Sequence, residues 1–172
     1  DLLNYVNHQT GFFQQFRHVR PRGKVEGSDF TALVACIIAN ATRFGLYKMA
    51  EICNIKLDKL NSIQSNLLRM ETLQEANDVI SNAIAQLSIF QHYAIQPDKI
   101  HGSYDGQKFE SRRNTIRTRF STKYIKTGPG VSGVTLNIHH VPANAQVIGL
   151  NEHESHYVFD LLHNNKSDLQ PD

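Results

Sequence analysis

The residues best suited to chemistry lie together in His101-Gly102-Ser103-Tyr104-Asp105-Gly106-Gln107-Lys108-Phe109. A carboxylate at the end of an apolar run can serve a reaction or simply turn the chain, because Asp-Gly is a frequent hairpin dipeptide. Read alone, the segment predicts a strand over 100–104 that turns at Asp105-Gly106. The histidines offer less. His139-His140 is expected on a strand, where adjacent side chains point to opposite faces and do not easily share one ion. His153 and His156, three apart on an expected helix, could hold zinc only with a third ligand, and surface or capping roles are expected instead. Cys36 and Cys53 lack Cys-x-x-Cys spacing and read as small core residues of a reducing cytoplasm. Tyr93, Tyr104 and Tyr124 read as packing residues, and the Arg-His-Arg constellation of a tyrosine recombinase cannot be placed.

Charge is close to balanced over the 172 residues, at a formal +2, but unevenly distributed. From Ser111 through Asn151 there is no Asp or Glu, while Arg112, Arg113, Arg117, Arg119, Lys123 and Lys126 crowd the first part. A smaller group, Arg17, Arg20, Arg22 and Lys24, lies near the N-terminus. A long basic run without acids points to a polyanion partner. No stretch reaches the ~18 apolar residues of a membrane span, and no basic-then-apolar leader opens the chain. The expectation is a cytoplasmic protein with no membrane partner. The absence of an initiating Met suggests a piece of a longer protein.

The elements that must position these residues change character near Pro97. Before it, Ser28 or Asp29 can cap a helix to about Thr42, with Phe30, Leu33, Val34, Ile37 and Ile38 on one face. A short helix is expected from Leu46 to Cys53, then one carrying Leu57, Leu60, Ile63, Leu67 and Leu68. Thr72-Leu73-Gln74-Glu75 reads as a capping box opening a long helix through Leu73, Ala76, Ile80, Ile84 and Leu87. Pro97 closes this half. After it the period falls towards two. Thr127-Gly128-Pro129-Gly130 is expected as a loop, and 131–141 as a strand with Val134, Leu136 and Ile138 on one face. Pro142-Ala143-Asn144 is expected to turn, 146–150 to form a short strand, and Tyr157, Val158, Leu161 and Leu162 to line a final helix. The expected class is α+β: a helical region over 1–97, then over 98–172 the opening strands and helix of an RNase H-like fold, truncated.

Around Asp105 the sequence resembles the Ser-Ser-Asp-Gly-Gln-Arg-Phe signature of the large DDE transposases of replicative bacterial transposons, the Tn-three family. Ser103, Asp105, Gly106, Gln107 and Phe109 match, while Tyr104 and Lys108 replace Ser and Arg. Further similar segments follow in order: Gly45-Leu46-Tyr47-Lys48-Met49-Ala50, Glu71-Thr72-Leu73, Arg119-Phe120-Ser121 with Lys123-Tyr124, Gly130-Val131-Ser132, and Tyr157-Val158 with Asp160-Leu161-Leu162. Any one is weak; ordered over about residues 28 to 170 they are specific.

The resemblance implies metal-dependent DNA strand cleavage and strand transfer by a triad of carboxylates on Mg²⁺ or Mn²⁺. Hard divalent cations prefer oxygen ligands, and a pair of them can activate the attacking oxygen and stabilise the leaving one. Asp105 is then the first catalytic residue and metal ligand. The second aspartate and the glutamate are expected beyond Asp172, since Asp160 matches a helix position and Asp168 lies in a polar tail. This chain alone is therefore expected to be inactive. Transposon-end and target DNA are the expected partners, held by Arg112, Arg113, Arg117, Arg119, Lys123 and Lys126 through phosphates. Nucleoid association follows, and an unpaired sheet edge would favour a homo-oligomer. The alternative reading is a non-catalytic nucleic-acid-binding or protein-interaction domain in which Asp105-Gly106 is only a turn.

Overall fold

The computed structural model describes residues 1–20, 27–96 and 98–171. Arg22, Lys24, Pro97 and the side chain of Ser28 lie outside the described residues. The chain divides into two compact units, Asp1–Val79 and Ile80–Asp172. Helix and sheet are both present, so the class is α+β.

The first unit is helical. Helix α1 (Leu2–Thr10) has no counterpart in the sequence reading; it stops at Gly11, whose φ of 69° lets its N–H reach Asn7 O at 2.7 Å. That left-handed position favours glycine. A 3₁₀ turn over Phe12–Gln15 then buries Phe12 and Phe13, and Phe13 stacks on Phe30 at 6.1 Å. Helices α2 (Gly27–Ala41), α3 (Gly45–Cys53) and α4 (Leu57–Leu67) follow.

The buried stripe of α2 differs from the expected one. Ala32, Leu33, Ala35, Cys36 and Ala39 face inward, while Val34 and Ile37 are half-buried and Ile38 is exposed. The reason is close helix approach: Cys36 Sγ lies 3.4 Å from Leu60 O, and small side chains are what such a seam accommodates. Burial pushes the Cys36 thiol up to about 11, with Cys53 adding to the shift, so it is an inert core group. Both cysteines are free.

Helix α5 (Met70–Ala85) begins before the expected cap. Thr72 sits buried in its first turn, accepting from Arg69 N–H at 3.1 Å and donating to Leu67 O at 2.5 Å. It therefore serves the reach-back half of a capping box, with Arg69 at the cap position.

The second unit is built on an antiparallel sheet. Strand β3 (Ile125–Ile138) is its spine; β1 (Gly102–Glu110) pairs along one side, and β4 (Val141–Gly149) and the short β2 (Arg119–Ser121) pair with it too. Val134, Leu136 and Ile138 are buried as expected, against Phe90, Ala143, Ile148, Leu161 and Leu169. Helix α6 (Val158–His163), entered through a 3₁₀ turn at Glu154–Tyr157, places Leu161 in that cluster.

Four local expectations are corrected. Asp105-Gly106 is no turn: it lies mid-strand in β1, opposite Thr135 and Val134. Thr127-Gly128-Pro129-Gly130 is no loop but part of β3. Pro129 is tolerated because β1 has ended at Glu110; only its carbonyl is used, accepting from Ser111 N–H at 2.9 Å. Pro142-Ala143-Asn144 is a bulge within β4, with Leu136 opposite Asn144 and Asn137 opposite Pro142. Asn144 Nδ2 anchors that bulge to Leu161 O at 2.8 Å. His139-His140 forms the two-residue turn joining β3 to β4, with φ of 45° and 70°. Both are left-handed because a two-residue hairpin that matches strand twist requires it.

Candidate active site

Strand alternation sorts the sheet into two faces. Gly102, Tyr104, Gly106 and Lys108 share the core face with Ser132, Val134, Leu136 and Ile138, their partners on β3. Ser103, Asp105, Gln107 and Phe109 share the other with Thr135, Asn137 and Gly133, and Phe109 lies over Gly133. Asp105 is exposed on this second face.

The carboxylate leans towards the strand edge. His139 N–H donates to His101 O and Ser111 N–H to Pro129 O. By that alternation, odd-numbered residues of β1 bond β3, and even-numbered amides point outward. Gly106 N–H is one of the outward amides, and Asp105 Oδ1 accepts from it at 2.8 Å. A single carboxylate thus stands among hydroxyl and amide side chains (Ser103, Gln107, Thr135 and Asn137). The donors are oxygen-rich and hard, which suits Mg²⁺ or Mn²⁺ in type. Among the described residues no group of three or more His, Cys, Asp or Glu is placed to hold a metal. His153 and His156 lie 6.2 Å apart between ring centroids, both exposed.

The opposite face explains the glycine. Glu154 lies directly over Gly106; a Cβ there would stand 2.7 Å from Glu154 Oε1. Lys108 Nζ donates to that carboxylate at 2.6 Å, Ser132 Oγ approaches at 3.4 Å, and the ammonium sits 4.3 Å above the Tyr124 ring. Nearby, Glu152 accepts from Gly149 N–H at 2.6 Å and from the Tyr157 hydroxyl, beside Arg119 and Arg117. The sequence reading assigns no site role to Glu152, Glu154 or Lys108. The available signal was that the acid-free tract ends at Glu152 and Glu154.

Both carboxyls are held below the ordinary glutamate range. For Glu154 the hydrogen bond from Lys108 is the main cause, and for Glu152 the bond from Gly149 N–H, with Tyr157 next. Tyr157 is raised by the same bond to Glu152. A depressed carboxyl contributes stability that is present above its unfolded value of about 4.3 and is lost as pH falls through the folded value. Urea midpoints of the parent are therefore expected to drop between pH 6 and pH 3. Glu154→Gln should be less stable than the parent at pH 6, with the gap closing in acid. A gap that stays constant with pH would remove Glu154 from this role.

The six basic residues are differently placed. Arg112 and Arg113 lie exposed in the bend after β1, and Lys126 is exposed on β3. Among the described residues none of these three has an ion-pair partner. Arg117 Nη1 donates to Val147 O at 2.8 Å, and Arg119 Nη1 to Ile116 O at 2.9 Å and Thr118 O at 2.8 Å. Lys123 Nζ sits 5.0 Å from the Tyr124 ring centroid. In the first unit, Arg17 pairs with Glu75 and accepts through its carbonyl from Arg69 at 3.2 Å. No described helix is long and apolar enough to cross a membrane.

Residues 1–172 match the family described as the Tn3 transposase DDE domain. The chain belongs to that family. It is 30% identical over 172 residues to the transposase for transposon Tn3926 of Escherichia coli, and 29% identical over 172 residues to that for Tn501 of Pseudomonas aeruginosa. Each alignment covers 99% of this chain and 17% of the relative. The transposase for transposon gamma-delta of Escherichia coli K12 is 30% identical over 138 residues, 77% of this chain and 13% of its own. The chain thus spans about a sixth of the length of the first two relatives. No solved structure matches it.

Proposed function

We propose that this chain is the opening part of the catalytic region of a DNA transposase that cleaves and joins strands with divalent metal during replicative transposition. The observation that carries the reading is Asp105 itself. In a member of the Tn3 transposase DDE domain family it lies mid-strand, exposed, on the face away from the hydrophobic core. It has no ion-pair partner among the described residues. A structural aspartate at a hairpin turn, the competing reading, has no support from β1, which runs straight through the position.

In the intact protein Asp105 would hold Mg²⁺ or Mn²⁺ together with carboxylates from elsewhere. Bound there, the metal would activate the attacking water or 3′-hydroxyl and stabilise the leaving oxygen. What this chain's own residues do is positional. β3 holds β1 by ladder bonds at the odd-numbered residues, so Asp105 is carried on rigid backbone rather than on a loop. An RNase H-like arrangement is the fold reading that fits: strands β1, β3 and β4 form a meander before α6, and β1 pairs only with β3 among the described residues. Arg112, Arg113, Arg117, Arg119, Lys123 and Lys126 supply phosphate contacts to the same DNA.

The test compares a full-length transposase carrying this chain with the 172-residue chain alone, on transposon-end DNA. Magnesium-dependent cleavage is expected from the first, abolished by chelation, and none from the second. Nicking by the short chain with Mg²⁺ would sink the division of the site proposed here.

A further inference from the structure

Between β1 and β2 the chain displays apolar side chains in a way the core does not explain. Ile116 is 89% exposed and Phe120 is 60% exposed. The loop that carries Ile116 is held firmly. Ser111 Oγ donates to Arg113 O at 2.6 Å, Thr118 Oγ1 accepts from Thr115 N–H at 2.8 Å, and Arg117 N–H donates to Thr115 Oγ1 at 3.3 Å. The Arg117 and Arg119 side chains fasten it further through carbonyls. A loop tied down by this many side-chain bonds that presents Ile116 to water, followed by a strand that presents Phe120, is built for contact with something.

Its chemistry selects the partner. A recess of about 480 Å³ is lined by Asn114, Thr115, Thr118, Arg119, Phe120 and Pro129. It offers a flat ring and a proline as apolar surfaces, the Asn114 amide and the Thr115 hydroxyl for base edges, and the Arg119 guanidinium, while the Thr118 hydroxyl is taken up by the Thr115 backbone. The tract from Ser111 to Asn151 has no acid of its own, although Glu152 lies beside Arg117 and Arg119. Arg112, Arg113 and Lys126 are exposed with no ion-pair partner among the described residues, so an acidic polymer is favoured over an apolar protein surface. Phe120 lies opposite Pro129, which by strand alternation shares the face of Thr135 and hence of Asp105. Residues 129 and 135 are about 20 Å apart along β3, so one DNA molecule can lie over both.

We infer that this recess receives an unpaired nucleobase of the bound DNA, stacked on Phe120, while the flanking arginines hold phosphates. The inference rests on the DNA reading above and narrows its substrate to DNA with a locally unstacked base. Stacking of a base on an aromatic ring favours DNA with an unpaired base, and phosphate contacts add affinity without such preference.

Fluorescence anisotropy of the 172-residue chain would compare a blunt duplex with the same duplex bearing a single-stranded extension. The extended DNA is expected to bind about 10-fold tighter. Phe120→Ala and Phe120→Leu should erase the preference, and Phe120→Tyr should keep it. Arg112→Ala with Arg113→Ala should weaken both DNAs alike and flatten the salt dependence by about two units of slope. Duplex binding with no preference, or a preference that survives Phe120→Ala, overturns the inference and leaves the DNA reading standing. Absence of binding to either DNA overturns both. Loss of self-association on Phe120→Ala with an unchanged DNA ratio would assign the patch to a second copy of the chain instead.

Discussion

Asp105→Asn in a full-length transposase carrying this chain is expected to lower the rate of strand cleavage at the transposon end by about 10³-fold, with no loss of folding. A metal ion contributes several kcal/mol of transition-state charge stabilisation, and each ~1.4 kcal/mol is a factor of ten in rate. Removing a ligating carboxylate removes much of that. Folding should be untouched because Asp105 is exposed and its carboxylate accepts from the N–H of its own neighbour, Gly106. The asparagine carbonyl can accept the same bond, so geometry and stability are preserved while the charge is gone. Cleavage assays and thermal melts on the same preparation separate the two effects. Cleavage within tenfold of the parent, at unchanged melting temperature, would sink the assignment of Asp105 as a ligand.

What sequence revealed about this site was the residue and its neighbourhood; what it hid was the backbone under them. Asp-Gly is locally a turn signal, and nothing near it announces that the glycine exists to admit Glu154 from a segment 48 residues later. Likewise Gly128-Pro129-Gly130 reads as a loop because its reasons are cross-strand: the packing of Phe109, Ile125 and Leu150 around Gly130 has no local signature. On α2 periodicity ranks large aliphatics first, whereas the seam with α4 selects Ala35, Cys36 and Ala39. His139-His140 is not the Asn-Gly or Gly-Gly pair that announces a two-residue hairpin; the hairpin geometry imposes positive φ on it. By contrast, Val134, Leu136 and Ile138 were legible because one buried face of a strand leaves a period of two in the sequence. Leu60, Ile63 and Leu67 were legible for the corresponding helical reason. The motifs shared with the family could be read for identity without revealing any of these contacts.

Gly130→Ala is expected to be the most damaging single substitution among the sheet glycines that flank the site. A Cβ at Gly130 would stand 2.6 Å from Phe109 O, 2.7 Å from Ile125 Cδ1 and 3.1 Å from Leu150 Cδ2. Two of those are side-chain ends, but the first is backbone of the strand that carries Asp105. It can yield only if β1 and β3 separate. The position is pinned on both sides, with Glu110 and Arg119 both opposite Gly130, so neither strand is free to shift alone. Overpacking of this kind costs about 3 kcal/mol, or roughly 10–20 °C in melting temperature for a unit of this size. Gly106→Ala should cost less, because its clash is with the flexible Glu154 side chain and the loss is a partly exposed ion pair, about 1 kcal/mol. Gly128→Ala should be nearly silent, since only Glu110 Oε1 at 3.3 Å is close. Thermal melts of the three variants should therefore rank Gly130, Gly106, Gly128 in falling severity. A Gly130→Ala variant that melts with Gly128→Ala would mean that β1 and β3 are not held in this register, and the rigid backbone assigned to Asp105 would go with it.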